Sequence, residues 1–547
     1  MSAGAFATDL TPARVRDCVA RGFWRNETLA HWLDRWATRR PDHPATIDGA
    51  GRLTWAQLAR RVERVAHGLA AHGAGPAGAV AVQLPNWSEF VVLLLAAERA
   101  GAAVTPIPPI YRASELRFIL GLVAPAVVVI PGLFRGFDHR AMLDELRADV
   151  SAVRHVFVAR GAPGRGMQSL AVLEQTAWEA RARRGALPGT DPNAVHEVIF
   201  TSGTTGEPKG VMHTSNTVLT SVHAVRERFA LSDREVVLMA STFAHQTGYL
   251  YGYALTVLLG ATGVWLDRWD PAAAARLIAD HRVTFTMGAT PFLNDLTYGA
   301  PADFASLRLF VSAGAPIPRA LVRDARRRLG ATVSAGWGMT ENGLVTANRH
   351  EDPEEKVVGT DGAPVPGMEL VIVDDEGRPR PAGVEGELLV RGPSQFVGYF
   401  RRPEFTASAH TADGWFRTGD RGILDGDGYL AITGRTKDVV IRGGENIPVV
   451  EVENVLFTHP KVAQVAIVAM PDPRLQERAC AFVVPAPGAR PTLAELTAFL
   501  EARGLARQKF PERLEVVSEL PTTPSGKVQK FRLRQLVAGR LADEDAR

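Results

Sequence analysis

The chain is poor in cysteine: its 547 residues contain two, Cys18 and Cys480. They lie far apart, and neither belongs to a C-x-x-C motif or to a Cys/His cluster. This pattern argues against both a disulfide framework and a zinc site. It fits a protein of the reducing cytoplasm, which is the localisation that we predict.

Neither sign of charge is in excess. Lysine and arginine number 62 and aspartate and glutamate 59, which leaves a formal net charge of +3. This is far from the dense positive field that binding to a phosphate backbone requires, so no nucleic-acid partner is expected.

Long apolar runs are absent as well. The longest extends from Phe90 to Ala97 and is interrupted by Glu98. A membrane-spanning helix needs about 20 apolar residues, so no transmembrane segment is expected. The N-terminus shows no basic stretch followed by an apolar one, which argues against a signal peptide.

The pattern along the chain predicts an α/β fold with more than one domain. A length of 547 residues exceeds a single core, and β-branched runs such as 126–130 alternate with helical patterns such as 87–100. Two such α/β subdomains are expected before residue 362, followed by a small β-rich subdomain. We predict an N-terminal domain over residues 1–434 and a small α+β C-terminal domain over 439–547.

One segment has the composition of a polyphosphate-binding loop. Residues 201–210 directly follow the apolar triplet 198–200 and contain glycines, four hydroxyl side chains and one lysine, Lys209. Backbone N–H groups, hydroxyls and a cation together suit a triphosphate. Gly203 and Gly206 lie three residues apart and no G-K-[ST] follows at the required distance, so the loop is not a Walker A motif.

Five further blocks follow this loop: 312–316, 336–341, 418–420, 434–437 and 524–527. In this order and at these separations, they resemble the adenylate-forming superfamily of acyl- and aryl-CoA synthetases, peptide-synthetase adenylation domains and luciferases. The resemblance covers nearly the whole chain. It implies an enzyme that uses ATP and Mg²⁺ to convert a carboxylic acid into an acyl-adenylate, with release of pyrophosphate. It also implies a C-terminal domain that moves about a hinge at residues 435–438.

The resemblance implies a role for each block. Glu341 is expected to bind Mg²⁺, Asp420 the ribose hydroxyls and Trp337 the adenine, although Trp337 is equally compatible with the core. The triphosphate loop contributes Thr201, Ser202, Gly203, Thr204, Thr205, Gly206 and Lys209, with Thr205 as a catalytic group. The remaining nucleotide-binding residues are expected to be Ser312, Ala313, Gly314, Ala315, Pro316, Gly336, Gly338, Met339, Thr340, Arg435, Gly443 and Gly444.

Two lysines are expected to have roles that depend on the domain movement. Lys527, on a Pro-Ser-Gly turn, resembles the lysine that stabilises charge in the adenylation step. Lys437 occupies the hinge position, where many members have aspartate and lysine is an alternative. After adenylation, the movement is expected to withdraw Lys527 and bring residues 442–446 to the active site.

Residues 243–249 correspond to the segment that lines the acid pocket in this superfamily. The segment lacks the aspartate that pairs with the ammonium of amino-acid substrates, so a free amino acid is not expected. His245 is interpreted as a gate, with a histidine satisfied in the core as the alternative. The pocket is predicted to contain Phe243, Gln246, Tyr249, Met287, Gly288 and Ala289. This mostly apolar set suits a neutral acid of modest size.

Stretches 21–29 and 239–248 look most like ligases of alicyclic and short- to medium-chain acids, including cyclohexanecarboxylate-CoA ligase. The expected acceptor of the acyl group is coenzyme A. Transfer to the phosphopantetheine of a carrier protein or to an amine remains open, as does a regulator that has lost the chemistry. The sequence leaves open whether the protein is a monomer or a homodimer.

Overall fold

The computed structural model describes residues 6–181, 187–201, 208–299, 302–314, 317–435, 440–442, 445–447, 449–472, 475–503, 505, 507–523 and 526–545. In chain order, the first elements are α1 (Pro12–Ala20), α2 (Leu29–Arg39), β1 (Pro44–Asp48), β2 (Gly51–Thr54), α3 (Trp55–Ala71), β3 (Ala79–Val82), α4 (Ser88–Arg99), β4 (Ala103–Pro106), α5 (Ala113–Val123), β5 (Val127–Pro131), β6 (Leu133–Phe134), β7 (Phe137–Asp138), α6 (His139–Leu146), β8 (His155–Ala159), β9 (Gln168–Ser169), α7 (Ala171–Gln175), α8 (Trp178–Arg181) and β10 (Val195–Thr201).

The middle of the chain contains β11 (Lys209–Thr214), α9 (Ser215–Arg228), β12 (Val236–Met239), a π-helix (Thr247–Ala254), α10 (Leu255–Leu259), β13 (Thr262–Trp265), α11 (Pro271–His281), β14 (Phe285–Gly288), α12 (Thr290–Tyr298), β15 (Leu309–Ser312), α13 (Arg319–Leu329), β16 (Thr332–Met339), β17 (Gly343–Ala347), α14 (Glu354–Gly359) and β18 (Ala363–Pro364).

The last part contains β19 (Glu369–Val373), β20 (Gly386–Arg391), α15 (Pro403–Ser408), β21 (Phe416–Leu424), β22 (Leu430–Arg435), β23 (Val440–Arg442), β24 (Glu445–Ile447), α16 (Val449–Leu456), β25 (Val462–Asp472), β26 (Gln476–Pro485), α17 (Leu493–Ala502), a 3-10 helix (Arg507–Lys509), β27 (Arg513–Val516) and α18 (Lys530–Asp545).

Two mixed sheets form the larger part of the protein, and the predicted α/β fold is confirmed. The first has the strand order β11-β10-β4-β3-β5-β8-β9, and the second the order β18-β17-β16-β15-β14-β12-β13-β1-β2. Their central strands are parallel, as expected where helices cover both faces of a sheet. In the first sheet β10 and β11 form an antiparallel hairpin, whose loop contains the predicted triphosphate residues.

Local signals in the sequence explain several element boundaries. Helix α11 begins at Pro271 because Asp270 accepts a hydrogen bond from the backbone N–H of Ala273 at 2.7 Å and proline is compatible with the first helical turn. The apolar periodicity of the sequence predicts a helix over residues 271–281, and these are the bounds that the structure has. The glycine-rich stretch 73–78 leads from α3 into β3, which is the wrong context for a dinucleotide loop.

The C-terminal part forms smaller units. Strands β19 to β22 form an antiparallel sheet in sequence order, as predicted for a β-rich subdomain. Beyond it, β23 to β27 form a further sheet against which α16 and α18 pack. Both cysteines are buried and free. Within the described ranges, no helix combines the length and apolarity that crossing a membrane would require.

Candidate active site

The ends of the predicted triphosphate loop are held by the β10–β11 hairpin. Thr201 pairs with Lys209 across the two strands, and the Thr201 hydroxyl donates to the Lys209 carbonyl at 3.4 Å. The ammonium group of Lys209 lies 5.0 Å from the ring centroid of Tyr399 and 4.6 Å from that of Phe405. Both contacts are within cation–π distance. Ser202, Gly203, Thr204, Thr205 and Gly206 lie outside the described residues.

Glu341, the predicted magnesium ligand, lies in the turn between β16 and β17. Its side chain is 8% exposed, and the Tyr399 hydroxyl donates to its carboxylate at 2.8 Å. Burial and the neighbouring Glu341 charge raise the pKa of Tyr399 above its usual range, so this hydroxyl keeps its proton. Tyr399 therefore joins Glu341 to Lys209, a connection that the sequence analysis missed.

A second group that the sequence analysis missed holds the same turn from the first sheet. His213, on β11, contacts the backbone carbonyl of Thr340 through Nε2 at 2.8 Å and the Thr217 hydroxyl through Nδ1 at 3.0 Å. The turn that carries Glu341 is thus tied to the hairpin that carries the triphosphate loop. Burial lowers the pKa of His213 to about 4, so its imidazole is neutral at pH 7.

This histidine makes the stability of the protein depend on pH. An unfolded histidine has a pKa near 6.5, whereas His213 in the folded protein has a pKa of about 4. Between these values the unfolded chain binds the additional proton, so stability falls as the pH decreases from 6.5 to 4 and is retained above 6.5. We expect His213→Gln, which does not titrate, to reduce this loss by about 2 to 3 kcal/mol.

Chemical denaturation of both proteins at pH 7 and at pH 4.5 measures this contribution. The variant is compared with the parent at each pH, so the other buried titratable groups cancel. Identical differences between the two pH values in parent and variant would contradict the assignment.

The parallel strands of the second sheet bring several predicted residues to one edge. Gly288 on β14 pairs with Ser312 on β15, and Ser312 pairs with Ala335 on β16. The carboxyl ends of these strands therefore lie side by side, which is where α/β sheets place their ligands. Met287, Gly288, Ala289, Ser312 and Ala313 gather at this edge, and Gly314 follows in a left-handed conformation. Ala315 and Pro316 lie outside the described ranges.

Strand β16 places the next block beside the β-rich subdomain. Gly336, Trp337, Gly338 and Met339 lie on this strand, and Thr340 follows it. A Cβ atom on Gly338 would lie 2.2 Å from the carbonyl oxygen of Gly343, so only glycine permits this approach of β17. The indole N–H of Trp337 donates to the Asp420 carboxylate at 2.8 Å.

The sequence predicts that Asp420 lies in a turn after residues 416–419. This prediction is wrong, because Asp420 lies within β21. The strand is irregular there: Gly419 has a φ of +71° and the pairing register shifts between Arg421 and Gly422. Such irregularities allow a strand to contain residues, here glycine and aspartate, that are typical of a turn. Asp420 is buried, and Arg435 on β22 lies opposite it in the ladder.

The predicted acid-pocket segment, residues 243–249, begins as a turn and leads into a helix whose first part is not an α-helix. Residues 247–254 form a π-helix, whose wider turn is common at functional sites. The apolar pattern of residues 249–259 predicts a helix there, and the structure shows that the first part of this helix is a π-helix. Gly248 packs so closely that a Cβ atom would lie 2.1 Å from the carbonyl oxygen of Thr242. Phe243, Gln246 and Tyr249 are all buried.

Lys527 belongs to the C-terminal unit, which contains strands β23 to β27, and it lies near the predicted acid segment. Burial, together with the charge of Lys527, lowers the pKa of His245 to about 4, and the backbone N–H of Thr247 donates to its Nδ1 at 3.2 Å. The lysine turn is closed by Thr523, which accepts from the Lys527 N–H at 3.1 Å and donates its own N–H to the Lys527 carbonyl at 2.7 Å. A Cβ atom built on Gly526 would lie 3.3 Å from that of Ala289.

The structure thus brings together Lys527, His245 and Ala289 from three separate parts of the chain. Lys437, Gly443 and Gly444 lie outside the described residues, and the hinge at 435–438 stays a prediction.

Both the sequence and the fold match those of known proteins. The model of the AMP-binding enzyme family matches residues 33–400, and that of the AMP-binding enzyme C-terminal domain matches residues 451–527. The medium-chain fatty-acid–CoA ligase of Escherichia coli (strain K12) is 36% identical over 530 residues, covering 96% of this chain and 93% of the relative.

A second relative is the salicylyl-CoA synthase / salicylate adenylyltransferase of a Streptomyces species, 36% identical over 534 residues with 96% of both chains covered. Among solved structures, ATP-bound MatB from Rhodopseudomonas palustris matches with a TM-score of 0.83 and 29% identity. This match covers 93% of the present chain and 99% of MatB.

Proposed function

Because this chain belongs to the AMP-binding enzyme family and is an adenylate-forming ligase, we propose that it converts an alicyclic, aromatic or short- to medium-chain carboxylic acid into its coenzyme A thioester. The observation that carries this proposal is the position of Lys527, which lies close enough to His245 to act on its pKa. The adjoining Gly526 lies against Ala289, so this cation of the C-terminal unit lies near the predicted acid segment, which supports a role in the adenylation step.

The first half-reaction joins the carboxylate of the acid to the α-phosphate of ATP and releases pyrophosphate. Negative charge develops on the phosphate oxygens, so catalysis depends on positioning and on positive charge. Thr201 and Lys209 hold the departing pyrophosphate, and Lys527 stabilises the charge at the α-phosphate. Asp420 binds the ribose hydroxyls.

The residues around Glu341 fit a magnesium ion. Mg²⁺ in nucleotide sites takes one or two carboxylates together with phosphate oxygens, and Glu341 supplies one buried carboxylate oriented by Tyr399. When bound, Mg²⁺ would neutralise phosphate charge there. Within the described part of the chain, no group of three or more His, Cys, Asp or Glu side chains forms a separate metal site.

An uncharged His245 is compatible with the predicted role of this residue as a gate at the entrance of the acid site. Its Nδ1 accepts the Thr247 N–H, so the uncharged ring carries its proton on Nε2. A neutral imidazole neither attracts nor traps the carboxylate at this entrance.

Coenzyme A as the acceptor is supported by the medium-chain fatty-acid–CoA ligase of E. coli, a relative along nearly the full length of both chains. A carrier-protein phosphopantetheine is the second candidate. It is favoured by a relative from Mycobacterium tuberculosis, the salicyl-AMP ligase / salicyl-S-ArCP synthetase, which is 36% identical over 528 residues and whose name includes a carrier protein.

Mass spectrometry distinguishes the acceptors. The protein is incubated with ATP, Mg²⁺ and a pool of carboxylic acids, and coenzyme A, a phosphopantetheinylated carrier protein or amines are then added separately. We expect acyl-CoA in the first reaction and at least about tenfold less product in the others, because only the proper acceptor is positioned for attack. Amide or carrier-bound acyl product without acyl-CoA would overturn the choice of acceptor.

A further inference from the structure

An N-terminal segment lies across the stretch of chain that precedes α15. Residues 6–24, which we call the N-terminal strap, contain α1, and the stretch that they contact is residues 392–400, between β20 and α15. The Asp9 N–H donates to the Val397 carbonyl at 3.1 Å. The strap precedes residue 33, where the match to the family model begins. Its contacts are therefore additional to the motifs from which the site was predicted.

The stretch under the strap holds the predicted magnesium ligand by its backbone as well as by its side chain. The Phe396 N–H donates to the Glu341 carbonyl at 2.7 Å. The Ser394 hydroxyl donates to the carbonyl of Asn342, the next residue, at 2.9 Å. Together with the Tyr399 hydroxyl on the carboxylate, these bonds fix the position of Glu341.

Arg14 of the N-terminal strap binds the backbone next to the Phe396 N–H. Its guanidinium donates to the Phe396 carbonyl at 3.2 Å and to the Gln395 carbonyl. Two successive carbonyls match the fork of N–H donors that a guanidinium presents, and hydrogen bonds from a charged donor are stronger than those between neutral groups. The guanidinium carbon lies 5.6 Å from the ring centroid of Trp24, within cation–π distance.

One planar peptide unit connects Arg14 to Glu341. The Gln395 carbonyl and the Phe396 N–H belong to the same trans peptide unit, so the two groups point in opposite directions. Arg14 donates to the oxygen of this unit, and the Glu341 carbonyl accepts from its N–H. A rotation of the unit that lost the first bond would also misdirect the second. The cation at the oxygen polarises the unit as well, which strengthens the N–H as a donor.

We propose that Arg14 is a positioning residue for adenylation, which holds Glu341 in place for Mg²⁺ through the 395–396 peptide unit. This inference rests on the proposed function, in which Glu341 binds Mg²⁺. Removing a group that orients a metal ligand commonly weakens metal binding by about 10- to 100-fold. Because Arg14 acts through a backbone unit, we expect an effect at the lower end of this range.

Metal binding to Arg14→Leu tests the proposal, since leucine removes every donor of the guanidinium. The probe is Mn²⁺, which oxygen ligands also bind, titrated in the presence of a non-hydrolysable ATP analogue. Electron paramagnetic resonance measures the free Mn²⁺. We expect its dissociation constant to rise about tenfold. Arg14→Lys keeps a charged donor but not the fork, so its value should lie between those of the parent and of Arg14→Leu, and it serves as the second variant should leucine impair folding.

Two further readouts separate positioning from a general loss of stability. Hydrogen exchange at the Phe396 amide should be faster in Arg14→Leu than in the parent. Pyrophosphate release should need about tenfold more Mg²⁺ for half-maximal rate but approach the parent rate at saturating Mg²⁺, because Glu341 itself is intact. A protein that is only destabilised would lose kcat at every Mg²⁺ concentration.

Arg21→Ala is the matched control for these variants. Arg21 belongs to the same strap but is exposed and pairs with Asp17 at 3.4 Å, so its removal should leave the Mn²⁺ affinity unchanged. Trp24→Phe removes the bond from the indole N–H to the Pro393 carbonyl at 3.0 Å, which lies outside the 395–396 peptide unit. This variant should lower the stability of the protein without changing the Mn²⁺ affinity.

An unchanged Mn²⁺ affinity in Arg14→Leu would overturn the inference. An equal loss of affinity in Arg14→Leu and Trp24→Phe would also overturn it, because the strap would then act as a whole rather than through one peptide unit. The proposed function fails differently: Glu341→Gln would keep the Mn²⁺ affinity of the parent, or no acid would cause pyrophosphate release.

Discussion

Replacing Lys527 with alanine should lower the rate of pyrophosphate release by at least about 100-fold and leave acyl transfer from a supplied acyl-adenylate largely intact. A single group that stabilises developing charge in an enclosed site typically contributes this much. The lysine turn lies against Ala289 and near His245, and under the proposed function its cation acts in the adenylation step. Burst measurements with ATP and separate assays with synthetic acyl-adenylate report the two half-reactions.

Lys461→Ala is the matched control for this substitution. Lys461 also belongs to the C-terminal unit but is exposed and pairs with Glu495 at 2.6 Å. It should leave both half-reactions close to those of the parent. Comparable loss of both half-reactions in Lys527→Ala would refute the assignment of this lysine to adenylation.

Glu341→Gln should also lower adenylation by about 100-fold, and should raise the Mg²⁺ concentration required for half-maximal rate. Glutamine keeps the size of the side chain and an oxygen that can accept from the Tyr399 hydroxyl, which bonds the carboxylate at 2.8 Å. The substitution thus removes the charge while retaining the local geometry. Titration of pyrophosphate release against Mg²⁺ measures both effects.

Tyr399→Phe serves as the comparison for Glu341→Gln. It removes the hydroxyl that orients the carboxylate but retains the ring on which Lys209 lies. We expect a smaller loss, about tenfold, with the Mg²⁺ requirement changed less than in Glu341→Gln. An unchanged Mg²⁺ requirement in Glu341→Gln would exclude this residue as the metal ligand.

The sequence predicted the family and the α/β architecture because both depend on local signals. The apolar run before residue 201 ends where the loop begins, and β10 covers it. Helix α11 begins at Pro271, directly after its N-cap Asp270, and ends where the apolar periodicity ends. Such signals lie within a few residues of one another, so no knowledge of distant contacts is needed.

Other features of the site depend on pairs that are distant in sequence. Tyr399 contacts Glu341, and His213 contacts Thr340, yet neither residue belongs to a motif that announces the contact. Residues 243–249 contain no acid, yet the fold brings Glu197 on β10 near Tyr249 of that segment. The π-helix could not be anticipated either, because its residues fit an α-helix pattern and the close packing of Gly248 is tertiary.

The contact of Gly526 with the end of strand β14 has a consequence for selectivity. Gly526 has a φ of +83° and lies against Ala289 and Pro291, at the edge of the predicted acid pocket. Under the proposed function, the lysine turn packs against one side of Ala289 and Pro291, and the bound acid contacts these residues from the side of the pocket. An acid that fits leaves these residues in place, so the C-terminal unit can still pack against them. An acid that displaces them prevents the C-terminal unit from closing on the pocket. Selection then acts on the fraction of closed enzyme, and a badly shaped acid occupies the pocket without being turned over.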